Sequence, residues 1–260
     1  MSSRARSILA AVVSLGCATY FFATLARGAK AAAILVPISV GAAAAATMMP
    51  FLAAQLMARS VWWSNFLLGM LLTALGSHHE ARGGVGLLVG CGFALLVADR
   101  RALASAADRD GFRPAAYEGT LQLMLVLALA DAQTLTLFAL LERESFPATA
   151  KVYALVACGL VAGFVGLLRL SLWGVTLTMS SAAALAAVII TGHFPQDSIV
   201  APPLLAMATL QLAVPLPMLL SMLLKRRGPE IPARVRALVA RGFVVALAVA
   251  TVAFRLRYRL

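Results

Sequence analysis

The chain has 260 residues, 62% of them hydrophobic and only 12% charged, with a mean hydropathy of +0.93. A water-soluble domain of this size cannot hide that much apolar surface. The net charge of +12 does not point to nucleic acid: no basic stretch interleaves with aromatics, and arginines that flank apolar runs are what a membrane topology requires.

Backbone in hydrocarbon must satisfy its own hydrogen bonds, so the apolar runs are helices or barrel strands. They are long and lack the period-2 alternation of a barrel. The expected fold is all-α: a polytopic transmembrane bundle of eight or nine short-looped spans in one membrane domain covering the whole chain. Arg4 and Arg6 precede the first span, 7–26. Ser14-Leu15-Gly16-Cys17 faintly resembles a lipoprotein cleavage site, but the apolar run continues past it, so an uncleaved first helix is the better reading. A second span at 31–57 contains Pro37 and Pro50 and is closed by Arg59. The third, 61–76, opens on Trp62-Trp63, an interfacial pair. Ser77-His78-His79-Glu80-Ala81-Arg82 reads as a loop before the glycine-rich fourth span, 83–98. A charged loop with Arg100, Arg101, Arg109 and Arg113 leads to the fifth span, 117–141. The sixth and seventh, 152–168 and 172–191, hinge on Arg169. The eighth, 199–224, carries four prolines and ends at a basic loop. A ninth at 240–256 reaches spanning length only if flanking arginines snorkel, so eight spans stay open as the alternative. The even-numbered loops include the two most basic, which places the N-terminus in the cytosol.

Asp131 is the most informative residue. It lies mid-span with Gln133 and Thr134 beside it and Gln122 earlier on the same helix. A carboxylate at membrane depth costs at least about 2.5–3.5 kcal/mol, so it faces a cavity or a partner. Three readings stay open: a solute or proton site, a protonated or hydrogen-bonded packing contact, or a shorter helix with Asp131 near the outer surface. Gly86/Gly90 and Gly159/Gly163 have small-xxx-small spacing, which suits packing within the chain or a homo-oligomer. Lys225, Arg226, Arg227, Arg234, Arg236 and Arg241 set topology or hold anionic lipid headgroups. His78-His79 has no companion ligands, and Cys17, Cys91 and Cys158 sit singly in apolar runs, so no metal site or cofactor is expected. No hydrolase, zinc-protease or phosphate-loop motif is present, and no enzyme is expected.

Three stretches carry a family likeness. One is Ala58-Arg59 leading to Trp62-Trp63; another is Gly92-Phe93-Ala94-Leu95-Leu96-Val97-Ala98-Asp99, a span ending on an acid. The third is Leu223-Leu224-Lys225-Arg226-Arg227-Gly228-Pro229, with Val239-Ala240-Arg241-Gly242-Phe243 beyond it. In these the chain resembles the multi-spanning envelope proteins of alphaherpesviruses (the UL-forty-three family), and its alanine- and arginine-rich composition fits a GC-rich genome. That family is distantly similar to equilibrative nucleoside transporters, and the resemblance implies a cytosolic N-terminus. It implies a protein of virion envelope and host membranes with an accessory role in assembly, spread or membrane traffic. The expected partners are membrane lipids and other membrane proteins, not nucleic acid. The alternative is a small-solute, nucleoside-like transporter, of bacterial origin in one version, with Asp131 near its pathway. The intramembrane polar candidates Gln55, Asn65, Gln122, Asp131, Gln133 and Gln211 are sparse for a coupled transporter.

Overall fold

The structure, a computed structural model, describes residues 3–24, 34–49, 51–75, 78–98, 118–141, 146–169, 171–191 and 201–215. Every regular element among them is an α-helix: α1 (Ser3–Thr24), α2 (Leu35–Ala46), α3 (Leu52–Leu75), α4 (His78–Val97), α5 (Glu118–Leu141), α6 (Pro147–Leu168), α7 (Leu172–Ile190) and α8 (Ala201–Ala213). Within α1, α4, α5, α6 and α7 lie five segments long and apolar enough to cross a membrane. At 1.5 Å per residue their 18–22 residues reach about 27–33 Å, the thickness of a hydrocarbon core. Helix α3 is as long but carries Gln55, Arg59, Ser60, Ser64 and Asn65, and α2 and α8 are apolar but short.

Several boundaries differ from the sequence reading. The run 31–57 is not one helix: α2 stops at Ala46, the chain turns through Thr47–Met49, and α3 runs unbroken from Leu52 past Arg59 to Leu75. Pro50 is the reason. It has no N–H to give and disfavours the helical conformation at Met49. The Gln55 side chain then caps the exposed end of α2, its Nε2 donating to Thr47 O (3.3 Å) and Met49 O (2.9 Å). Arg59 therefore lies inside a helix and closes nothing. The stretch read as a loop at 77–82 is helical from His78, with Glu80 in the first turn, where an acid suits the helix dipole. Helix α6 begins five residues before the expected 152, at Pro147, a position proline favours because its missing N–H would be unpaired there anyway. It ends at Arg169, where the Ser171 hydroxyl donates to Gly166 O (2.7 Å) and seals a turn into α7. The ninth expected span, the loop holding Arg100–Arg113 and the basic loop after α8 lie outside the described residues.

The helices close two rings. Each of α1–α4 packs on the next, and α4 returns to α1; α5–α8 do the same, with α8 returning to α5. Helix α3 joins the rings, mainly through α5. Each ring has its own core: Phe21, Val40, Trp62 and Leu87 in the first, Leu127, Tyr153, Leu160 and Leu204 in the second. A third cluster fills the seam between them, with Leu52 and Leu56 of α3 against Leu121, Met124 and Leu125 of α5 and Phe164 and Leu167 of α6. Outward positions are apolar as well: Leu96 is 87% exposed and Leu155 74%. Apolar surface both inside and outside is what a lipid-facing bundle shows and what a water-soluble one avoids.

Glycines set the helix directions by letting backbones touch. Gly90 faces Cys17, Gly86 faces Tyr20 and Gly83 faces Phe21, so α4 runs antiparallel to α1. Gly92 faces Phe66, Gly69 faces Leu87 and Gly84 faces Thr73, so α3 and α4 are antiparallel. Gly159 against Ser181, Gly163 against Thr178 and Gly166 against Gly174 do the same for α6 and α7. Helix α3 runs with α5: their N-terminal halves share the seam cluster, and further on Asn65 and Gln133 meet at Ser39.

Candidate functional site

Helix α5 is the most buried of the apolar helices, wedged between α3, α6 and α8. Asp131 and Thr134 on it are buried, and Gln122, Gln133 and Thr136 partly so. Asp131, near its middle, is fully buried and faces α8, where Gln211 Nε2 donates to its Oδ2. Its other oxygen, Oδ1, has no hydrogen-bond partner among the described residues, nor has Gln211 Oε1. Gln211 is also fully buried.

Gln133 lies two residues further on, about 200° around the helix, and so points to the other ring. Its Nε2 donates to Ser39 Oγ of α2 (3.4 Å), and Asn65 Nδ2 of α3 donates to the same oxygen (3.3 Å) and to Val61 O (2.9 Å). Ser39 can accept both because its own proton goes to Val36 O (2.9 Å). Asn65 Oδ1, Gln133 Oε1 and the Trp62 indole Nε1 are buried without partners among the described residues. Asn65 lies one turn beyond Trp62 on the same face of α3.

The four sequence-selected polar residues of α5 thus separate. Asp131 and Gln133 enter two different clusters on opposite faces. Thr134 shares the face of Asp131 but donates its proton to Ala130 O (2.8 Å), leaving an oxygen that can only accept. Gln122 is nine residues before Asp131, about 13 Å along the axis, and joins neither cluster. Gln55 is the cap of α2. Ser39 was missed: a serine in an apolar run signals nothing until its neighbours are known.

The small-xxx-small glycines are used inside the chain. A Cβ on Gly86 would meet the Tyr20 ring at 2.9 Å, and one on Gly163 would meet Thr178 N at 2.9 Å. Gly90 and Gly159 face Cys17 and Ser181 in the same seams. The basic candidates Lys225, Arg226, Arg227, Arg234, Arg236 and Arg241 lie outside the described residues. Among the described residues no group of three or more His, Cys, Asp or Glu side chains is placed to hold a metal ion.

The site is therefore two small polar clusters at mid-height of the bundle, completed by the short helices α2 and α8. Four of its five unpartnered atoms are oxygens that accept and one is a nitrogen that donates. It can bind a donor-rich or positively charged group. In comparison with family models, curated proteins and solved structures, the chain matches none.

Proposed function

We propose that the chain is a multi-pass membrane protein of eight or nine spans, and that it is a non-enzymatic accessory protein of viral envelope and host membranes, acting in assembly, spread or membrane traffic. The observation that carries the accessory role is the separation of the polar groups. Asp131 bonds to Gln211 on one face of α5, and Gln133 to Ser39 on the other. They stitch neighbouring helices together and do not line up along one path. The resemblance at Arg59-to-Trp63, 92–99 and 223–243 supplies the viral setting.

Helix directions combined with charge support a cytosolic N-terminus. Helix directions put the starts of α1 and α5 and the ends of α4 and α6 at one end of the bundle, with Arg4, Arg6 and Arg169. In sequence, the stretch between α4 and α5 carries Arg100, Arg101, Arg109 and Arg113 and the stretch after α8 carries Lys225–Arg227, whereas 192–200 has no lysine or arginine. Such a bias faces the cytosol. The experiment is a tagged chain expressed during infection with the virus that encodes it: tags at the N-terminus and in 99–117 are reached only from the cytosol, and the protein is found in purified virions. Its absence from gradient-purified particles overturns the envelope role.

The unpartnered oxygens favour a second reading, a small-solute transporter with Asp131 in its path. Radiolabelled nucleoside and small-solute uptake into proteoliposomes separates the two. Saturable uptake abolished by Asp131→Asn establishes transport; no uptake above empty liposomes by folded protein removes it.

A further inference from the structure

We propose that Asp131 and Gln211 form a site for a sodium-sized monovalent cation at mid-height of the second ring. Asp131 is completely buried, one carboxylate oxygen has no partner, and no ion pair to it exists among the described residues. A buried carboxylate of this kind needs a compensating positive charge or a proton. Besides the Gln211 Nε2 that donates to Oδ2, the polar atoms on this face that lack a donor are oxygens. Gln211 Oε1 is buried and without a partner among the described residues, and Thr134 Oγ1, on the same face of α5, has already given away its proton.

Helix α8 also leaves a main-chain oxygen without its intrahelical donor. Gln211 stands in the last turn of this short helix. Its main-chain carbonyl would take its intrahelical hydrogen bond from residue 215, which is Pro215 and has no N–H. The Gln211 carbonyl thus lacks its intrahelical donor, at the residue whose side chain meets Asp131. The end of a helix also carries partial negative charge. An all-oxygen set with one formal negative charge suits a hard cation. One positive charge neutralises it, whereas a divalent ion would leave net charge in hydrocarbon. Short helices whose C-terminal ends face a midplane site are a recurring way to hold such ions in membranes. The neutral cluster at Ser39, Asn65 and Gln133 lacks the charge and serves as the internal control.

The proposal goes beyond the accessory reading, which needs no ion and survives its failure. The test uses the full chain purified in neutral detergent. Thermal unfolding is compared in sodium, lithium, potassium and choline chlorides at equal ionic strength, beside binding of radioactive sodium to the same preparation. Wild type is expected to melt several degrees higher in sodium than in choline, as binding to the folded state alone requires, and to bind sodium saturably. Asp131→Asn keeps a side chain that can meet Gln211 but removes the charge; it should weaken sodium binding about tenfold or more and abolish the melting difference. Gln133→Leu should keep both. Equal melting in all four salts without saturable sodium binding overturns the proposal, and it does so on wild type alone if the variant fails to fold. Stability that follows pH but not cation identity also overturns it, because the occupant is then a proton. Full sodium response in Asp131→Asn moves the ion elsewhere and overturns it too.

Discussion

A residue with no side chain holds α6 and α7 together. A Cβ on Gly174 would lie 2.7 Å from Gly166 Cα and closer still to other backbone atoms of that turn, and backbone cannot swing aside. Gly174→Ala must therefore push two helices apart, a cost of about 1–3 kcal/mol for an overpacked contact. Gly16 is the matched control, since a Cβ there meets nothing within 4 Å. Gly16→Ala should be neutral or stabilise by up to about 1 kcal/mol through backbone entropy. Melting of both variants in detergent decides: equal midpoints would mean that the α6–α7 seam is looser than described. The pair Asp131–Gln211 makes a different prediction. Gln211→Leu strips the carboxylate of its one donor among the described residues, whereas the double change Asp131→Leu with Gln211→Leu removes this polar pair altogether. The double variant is expected to be more stable than the single Gln211→Leu, because an orphaned buried group costs more than an absent pair. A double-mutant cycle should give a coupling of about 0.6–1.7 kcal/mol, from the mean to the maximum of cycles measured for hydrogen bonds between membrane helices. Additive effects would show that the two side chains do not sense each other.

At the scale of the helix, apolar runs announced helices, because length and hydropathy act on contiguous sequence. They did not announce where a run breaks. The stretch 31–57 is nearly continuous in hydropathy, yet Pro50 divides it, and the polar cap that stabilises the break comes from Gln55 on the next helix. A break inside an apolar run needs no polar loop, so pattern alone passes over it. The reverse holds for α3: its polar residues lower its hydropathy, but Ser60, Ser64 and Asn65 are fully buried, and Ser60 and Ser64 bond back to their own helix at Leu56 O and Val61 O. For the site, Asp131 stood out as a lone acid in an apolar run, but its partner lies 80 residues away, and no local period connects them. The α2–α3 corner gives a direct check. Gln55→Leu removes both bonds that hold Thr47 and Met49, a loss of about 0.5–1.5 kcal/mol per bond. Hydrogen exchange should rise in 47–51 and stay unchanged in α6 and α7. Unaltered exchange at 47–51 would mean that proline alone fixes the corner.

In the whole molecule, two rings with separate cores meet along one seam, and the α3–α5 contact dominates that seam. The polar groups follow the same division: Asp131 and Gln211 both belong to the second ring, whereas Gln133 reaches across the seam to Ser39 in the first. Each ring closes through its own first and fourth helices, so the covalent link through 98–117 is not what keeps a ring shut. A chain divided between Asp108 and Arg109 should then insert as two four-helix fragments that find each other in the membrane. Co-expression with an affinity tag on one fragment tests this: the untagged fragment should co-purify in mild detergent. Membrane helices gain little from apolar burial alone, so the association rests on close packing and interhelical hydrogen bonds. Leu125, fully buried in the seam against Leu56, is the place to weaken the packing, and Leu125→Ala should lower recovery of the partner fragment. Leu155→Ala, on the exposed outer face of α6, should leave recovery unchanged. Fragments that insert but never associate would mean that each ring is completed during insertion by its covalent neighbour. Equal loss from Leu125→Ala and Leu155→Ala would mean that the outer face of α6, and not the seam, carries the contact.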